Sequence, residues 1–132
     1  MDAILHKSLL FTKQCAREFY FSFWATEPPQ CPAFAGEVIH VSHEGWNHLV
    51  HDRKRKNKLE LIGRLTVLER AKHLLETATH FQQHVERGGV MYWSFEADIH
   101  GVRVKAIVRS IHGGEKHFYS VMRKGSVVHE IK

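Results

Sequence analysis

The stretch that decides the fold is MYWSFEADIHGVRVKAIVRSIHGGEKHFYSVMR, residues 91–123. Apolar and polar residues alternate along most of it, and glycine-containing turns interrupt the alternation. A period of two residues is typical of β-strands with one buried face, and glycine next to a polar residue favours tight turns. The stretch therefore predicts an antiparallel meander. Its expected strands are 91–99, 102–109 and 117–123, with a short fourth strand introduced by Gly125.

The parity of the middle strand predicts a basic open face. The valines and the alanine of this strand must face the helices, because they are its apolar set. Its cations therefore lie on the opposite, open face of the sheet, and these are Arg103, Lys105 and Arg109. The parity of the third strand is undecided. Phe118, Ser120 and Met122 form one set, and His117, Tyr119, Val121 and Arg123 form the other. A β-bulge near Ser120 would expose both Tyr119 and Ser120.

Helical patterns precede the meander. Residues 2–24 suit an amphipathic helix whose end is undecided, and the prolines of 27–32 then predict a loop or hinge. Ser42 is expected to be the N-cap of a helix with Glu44 in its first turn. A capping-box pattern at 66–69 predicts another helix that begins near Val67 and ends either at Arg87 or as early as Thr77. The order predicts an α+β fold, with N-terminal helices on one face of a C-terminal antiparallel sheet of about four strands.

Length and charge narrow the class of protein. The 132 residues predict one domain, in which 1–36 is a helical segment with a proline-rich loop and 37–132 is the α+β core. A formal net charge of +5 favours a polyanion or an acidic protein as partner.

No segment predicts membrane insertion or export. The longest uncharged run, 19–24, is far too short to span a bilayer, and the amino end lacks a secretory signal pattern. We therefore expect a cytoplasmic protein. Cys15 and Cys31 are then best interpreted as two reduced core thiols, because one pair does not make a disulfide framework.

Histidine and positive charge are concentrated in HVSHEGWNHLVHDRKRKNK, residues 40–58. On a helical wheel the apolar Trp46, Leu49 and Val50 share one side, and His48, His51 and Arg55 share the other. The wheel predicts a solvent-facing stripe of imidazoles and cations. Such a stripe suits a phosphodiester, although a basic run of this kind is also common at a solvated helix end.

Metal binding is the competing use of so many histidines. His48 and His51 lie about one turn apart, as do His80 and His84, but neither pair has the adjacent glutamate of zinc proteases. Cys15 and Cys31 have no companion pair, and no nucleophile-elbow or phosphate-loop motif occurs. We expect no metal and no cofactor. Trp46, Trp93 and Phe95 are expected in the core because each lies on an apolar parity.

The runs VSHEGWNHLVH, LTVLERAKHLLETATH and GVRVKAIVRSIHGGEKHFYS together resemble the barnase, EndoU, colicin E5/D and RelE-like ribonuclease superfamily, and within it the phage-associated branch. The resemblance covers about residues 38–124. It implies metal-independent RNA cleavage, frequently as a toxin. The resemblance places the family's helix histidine at His48. It places the family's basic residue of the central strand at Arg109, with Lys105 as the near alternative, and the aromatic and hydroxyl pair of the next strand at Tyr119 and Ser120. Relatives in that branch tend to have another polar or histidine residue shortly after the tyrosine, whereas this chain has Val121 and Met122 there.

The chemistry also follows from the residue types. Cleaving RNA through its 2′-hydroxyl requires a base, an acid and cations for the phosphoryl oxygens. Histidine changes its charge near neutral pH, and arginine binds two phosphoryl oxygens at once. The expected product is a 2′,3′-cyclic phosphate. The expected RNA-binding residues are His43, His51, Arg53, Lys54, Arg55, Lys56, Arg103, His117 and Arg123.

A toxin of this kind would need an acidic antitoxin or immunity protein against its basic face. The alternative hypothesis is a non-catalytic basic module that binds nucleic acid or a protein with the same surface.

Overall fold

The computed structural model describes residues 2–51 and 57–126 and has an α+β fold, as predicted. The helices are α1 (Asp2–Glu18), α2 (His43–His51), α3 (Lys58–Leu65) and α4 (Leu68–Thr77), and a π-helical turn, Phe19–Trp24, follows α1 directly. The strands are β1 (Gln30–Cys31), β2 (Glu37–Val38), β3 (Gln83–Arg87), β4 (Val90–Ile99), β5 (Val102–Ile111) and β6 (Lys116–Ser126). The short strands β1 and β2 pair with each other, and the other four form an antiparallel sheet in the order β3-β4-β5-β6.

The sheet follows the predicted parity. Phe95 on β4 and Val104, Ala106 and Val108 on β5 are fully buried, and α4 packs over these two strands. The turn between β4 and β5 has positive φ at both central residues, 51° at His100 and 82° at Gly101, a conformation that matches the twist of the flanking strands. The expected core positions of Trp46, Trp93 and Phe95 are confirmed.

Some predicted elements differ from the structure. The fourth strand is β3, whose five residues are all exposed and show no alternation of burial, and β6 runs through Gly125, so a new strand there was wrong. The helix α4 ends at Thr77, the earlier of the two predicted ends. The capping box was also wrong, because the hydroxyl of Thr66 donates to the carbonyl of Gly63 within the preceding helix. That helix, α3, was not predicted.

The N-terminal segment is part of the core. Tyr20 and Trp24, which lie within the π-helical turn after α1, are fully buried. Trp24 Nε1 donates a hydrogen bond of 3.1 Å to the carbonyl of Ile39, and its ring stacks on Phe118 with centroids 4.4 Å apart. The described part of residues 1–36 therefore packs into the same hydrophobic core as the sheet.

The two cysteines are free and have different surroundings. Cys31 is buried, and burial raises the pKa of its thiol. Cys15 is exposed on α1, so the prediction of a core position was wrong for this residue.

Candidate active site

The helix α2 is held at both its N-terminus and its inner face. Ser42 is the N-cap, as predicted, since its Oγ accepts a hydrogen bond of 3.0 Å from the backbone N–H of Gly45. The Tyr20 hydroxyl donates to the Ser42 carbonyl at 2.8 Å. Trp46 and Leu49 are buried, and α2 packs against β6. The opposite side of the helix carries Glu44 and His48.

Tyr119 lies at the centre of the candidate site because β6 contains a bulge. Val108 pairs with Phe118 and Ile107 pairs with Ser120, which leaves Tyr119 as the extra residue between them. The His48 ring stacks on the Tyr119 ring, with centroids 4.2 Å apart and planes 19° from parallel.

A strand cation contacts the same phenol ring. The guanidinium carbon of Arg109 lies 4.4 Å from the centroid of Tyr119, a cation–π distance. Tyr92, which pairs with Arg109 in the β4–β5 register, meets Tyr119 edge-on at 5.6 Å. The structure therefore brings together an imidazole from α2, a guanidinium from β5 and a phenol from β6.

Glu44 adds a carboxylate to this group. Its place in the first turn of α2 had predicted only a role in stabilising the helix. Arg109 Nη2 donates to Glu44 Oε1 at 2.7 Å. The Glu44 side chain is 76% exposed and the Arg109 side chain 20%, so solvent reaches this ion pair mainly from the carboxylate side. Because Glu44 precedes His48 by one helical turn, both side chains lie on one face of α2. That spacing is the sequence signal that would have indicated Glu44.

Ser120 is buried, whereas its chain neighbour Tyr119 is half-buried. Ser120 is 3% exposed and accepts a hydrogen bond from Arg64 Nη2 of α3, so the prediction that a bulge exposes both Tyr119 and Ser120 was wrong for Ser120. The cause is the packing of α3 against β6, which covers this hydroxyl. Lys105 is on the open face but four residues before Arg109, roughly 13 Å along the strand. Lys105 therefore lies two same-face positions from Arg109, opposite Met122 of β6.

The predicted RNA-binding residues are distributed over several surfaces. Arg103 is engaged with carboxylates, since its Nε donates to Glu96 at 3.0 Å and its Nη1 to Asp98 at 3.3 Å. These hydrogen bonds raise the pKa of the Arg103 guanidinium. His117 pairs with Arg109 in the β5–β6 register and so lies beside the candidate site.

The remaining binding candidates are exposed or lie outside the described residues. His43 is exposed and its ring stacks on Phe21 with centroids 4.6 Å apart. His51 is exposed at the end of α2, and Arg123 is exposed on β6. The basic run of Arg53, Lys54, Arg55 and Lys56 lies outside the described residues.

The described residues hold neither a metal-binding cluster nor a membrane-spanning helix. Within 2–51 and 57–126, no three His, Cys, Asp or Glu side chains come together as ligands for a metal ion. None of the helices in this part of the chain is long and apolar enough to cross a membrane.

Comparisons with known proteins add no relative. No family model matches the chain, and neither the curated proteins nor the solved structures include a significant match to it. The resemblance to the barnase, EndoU, colicin E5/D and RelE-like ribonucleases therefore stays a prediction from sequence motifs.

Proposed function

We propose that the protein is a metal-independent endoribonuclease, toxin-like in its action, that cleaves RNA by attack of the 2′-hydroxyl on the adjacent phosphate. One observation carries the proposal. Glu44 and His48 lie one turn apart on α2, and the first is bound to Arg109 while the second stacks on Tyr119. The imidazole of His48 and the guanidinium of Arg109 thus contact one phenol ring, and the same guanidinium binds a carboxylate.

The reaction needs one proton acceptor and one proton donor. The carboxylate of Glu44 binds Arg109 and is otherwise exposed to solvent, so we assign it the role of accepting the proton of the 2′-hydroxyl. The 2′-oxygen then forms a bond to phosphorus, the bond from phosphorus to the 5′-oxygen breaks, and the imidazolium of His48 gives its proton to that oxygen. The products are a 2′,3′-cyclic phosphate and a free 5′-hydroxyl. Protons and electrons balance without an added metal.

Arg109 supplies the positive charge at the phosphate. A guanidinium has five N–H donors, and the hydrogen bond to Glu44 uses one of them. Donors on the same group bind the non-bridging phosphoryl oxygens, where negative charge increases in the transition state. Tyr119 fixes the positions of the imidazole and the guanidinium relative to each other, because both groups contact its ring. Such positioning contributes to catalysis because it removes the entropy of orienting the groups.

The partners proposed with this activity follow from charge. The chain carries a formal net charge of +5, which favours RNA and, for a toxin, an acidic antitoxin or immunity protein that covers the basic face. The phage-associated resemblance supports the toxin-like assignment, and we place the activity in the cytoplasm, where cellular RNA is present.

The proposal is tested by cleavage of structured RNA in the presence of EDTA. We expect wild-type protein to cut and to leave 2′,3′-cyclic phosphate ends, detected by ³¹P NMR. In His48→Ala the rate is expected to fall by about 10²- to 10⁴-fold, the usual contribution of a general acid. His6→Ala, which changes an exposed histidine on α1, is the matched control and keeps the wild-type rate.

The outcomes separate the two function classes. Metal-independent cutting that His48→Ala abolishes supports the nuclease. RNA binding without cutting, in both wild type and variant, leaves a non-catalytic basic module instead.

A further inference from the structure

A second basic site lies between α3 and β6. A cavity of about 600 Å³ is open there, and its lining includes Gly63 and Arg64 from α3 and Met122, Arg123 and Lys124 from β6. Arg123 and Lys124 are exposed at its rim. The cavity lies on the side of β6 that α3 covers.

Arg64 is buried without enough partners. The residue is 2% exposed, and its Nη2 donates to Ser120 Oγ. Its Nε and Nη1 are buried, and no group of the described residues 2–51 and 57–126 is a hydrogen-bond partner for them. Glu60 lies one turn earlier on α3 and also lines the cavity.

A buried guanidinium with two unsatisfied donors is unfavourable unless an anion or polar group completes it. The described residues supply no carboxylate for Arg64, and the cavity that Arg64 lines is accessible from the basic rim. A phosphate group has the charge and the oxygen geometry that a guanidinium prefers.

We propose that this cavity binds a phosphate group of the RNA that flanks the scissile phosphate, with Arg64 at its base and Arg123 and Lys124 at its rim. The inference rests on the proposed ribonuclease function. Arg64 donates to Ser120, which pairs with Ile107, and Met122 of the cavity pairs with Lys105; these β5 residues are two and four positions from Arg109. The cavity therefore lies roughly 7 to 13 Å from Arg109 along the strand. A single strand a few nucleotides long spans that distance along β6, as in grooves that track a nucleic-acid backbone.

The anion site is tested first with inorganic phosphate. In ¹⁵N-labelled protein the Nε–H resonance of Arg64 is assigned by its absence from Arg64→Met. We expect phosphate to shift this resonance in a saturable manner, and Arg123→Ala to weaken the apparent affinity about tenfold, as for loss of one charge-assisted contact. A resonance that phosphate leaves unchanged would overturn the anion site.

The assignment to RNA is tested with an oligonucleotide of eight nucleotides that carries 2′-fluoro groups and cannot be cleaved. Its affinity is measured by fluorescence anisotropy against salt concentration. Arg64→Met and Arg123→Ala are each expected to reduce the slope of log affinity against log salt by about 0.7, the value for one phosphate contact on a single strand. Arg87→Ala, an exposed arginine on β3, is the matched control and leaves the slope unchanged.

Each result decides one question. If phosphate shifts the Arg64 resonance but the slopes do not change, the cavity binds a free anion and the assignment to RNA is overturned. If Arg64→Met does not fold, the exposed Arg123→Ala still reports the slope. If the slopes fall as expected but natural RNA is never cut, the nuclease proposal fails and the phosphate site stands.

Discussion

Ionising Tyr20 should loosen the attachment of α2 to the rest of the fold. Tyr20 is fully buried, and its hydroxyl donates to the Ser42 carbonyl at 2.8 Å and accepts from the Ser42 N–H at 3.3 Å. Burial raises the pKa of the Tyr20 hydroxyl from 10.0 to about 12, against a smaller opposing effect of the hydrogen bond to Ser42. Tyr20 therefore connects the π-helical turn to the N-cap of the helix that carries Glu44 and His48.

The sign and size of the effect follow from this shift. Below pH 10 the hydroxyl is protonated in both the folded and the unfolded chain, and its full contribution to stability is present. Between pH 10 and 12 the unfolded chain loses the proton first, so the free energy of unfolding falls. A shift of two pKa units corresponds to about 3 kcal/mol lost across this interval.

The assay is urea denaturation of wild type and Tyr20→Phe between pH 8 and 12. At pH 8 we expect the variant to be less stable by about 1–3 kcal/mol, because the Ser42 backbone groups lose their partner. The difference between the two proteins should shrink above pH 10, because only wild type carries the Tyr20 hydroxyl that the unfolded chain ionises there. Lysines titrate in both proteins and cancel from the difference. Tyr92→Phe, a half-buried position, is the control and should parallel wild type. A constant difference between wild type and Tyr20→Phe at every pH would refute the reasoning.

Three further perturbations test the packing around α2 and β6. Gly45→Ala should lower the free energy of unfolding by roughly 2 kcal/mol or more, the cost of overpacking, because its Cβ would lie 2.7 Å from the Tyr20 hydroxyl. In the matched variant Gly63→Ala the new Cβ meets no atom within 4 Å, and we expect this helix position to become more stable by about 1 kcal/mol. Both changes are measured by urea denaturation. Ser120→Ala should cost about 2 kcal/mol by the same measurement, since it removes the acceptor of a buried guanidinium; a neutral effect would contradict that hydrogen bond. Glu44→Gln should tighten the binding of uncleavable RNA, because it removes the negative charge beside Arg109. The same variant should lower kcat by about 10²-fold or more, since the general base is lost. A variant that binds more tightly but keeps the wild-type kcat would argue against Glu44 as the base.

The sheet was predictable because its signal is local. Polarity alternates along most of β4 and β5 and indicates the face on which a residue lies, and the buried Val104 and Val108 of β5 follow that pattern. Ile107 is the exception, an apolar residue on the parity of the cations. The exposed strand β3 was missed for the opposite reason, since an edge strand with no buried side needs no alternation. The early end of α4 was one of two predicted alternatives, and β-branched Thr77 marks it.

The amino-acid sequence by itself determined the α+β class, the basic face of β5 and the histidine-bearing side of α2, because these depend on periodicities of two and 3.6 residues within single elements. Only the tertiary structure decided which of these residues meet. Arg109 and Glu44 are 65 residues apart in the chain, and Arg64 and Ser120 are 56 apart. Their contacts depend on how α2 and α3 pack against β6 and on a one-residue bulge there. That packing turns Tyr119 toward His48 and Arg109 and buries its neighbour Ser120, a difference that no local pattern encodes.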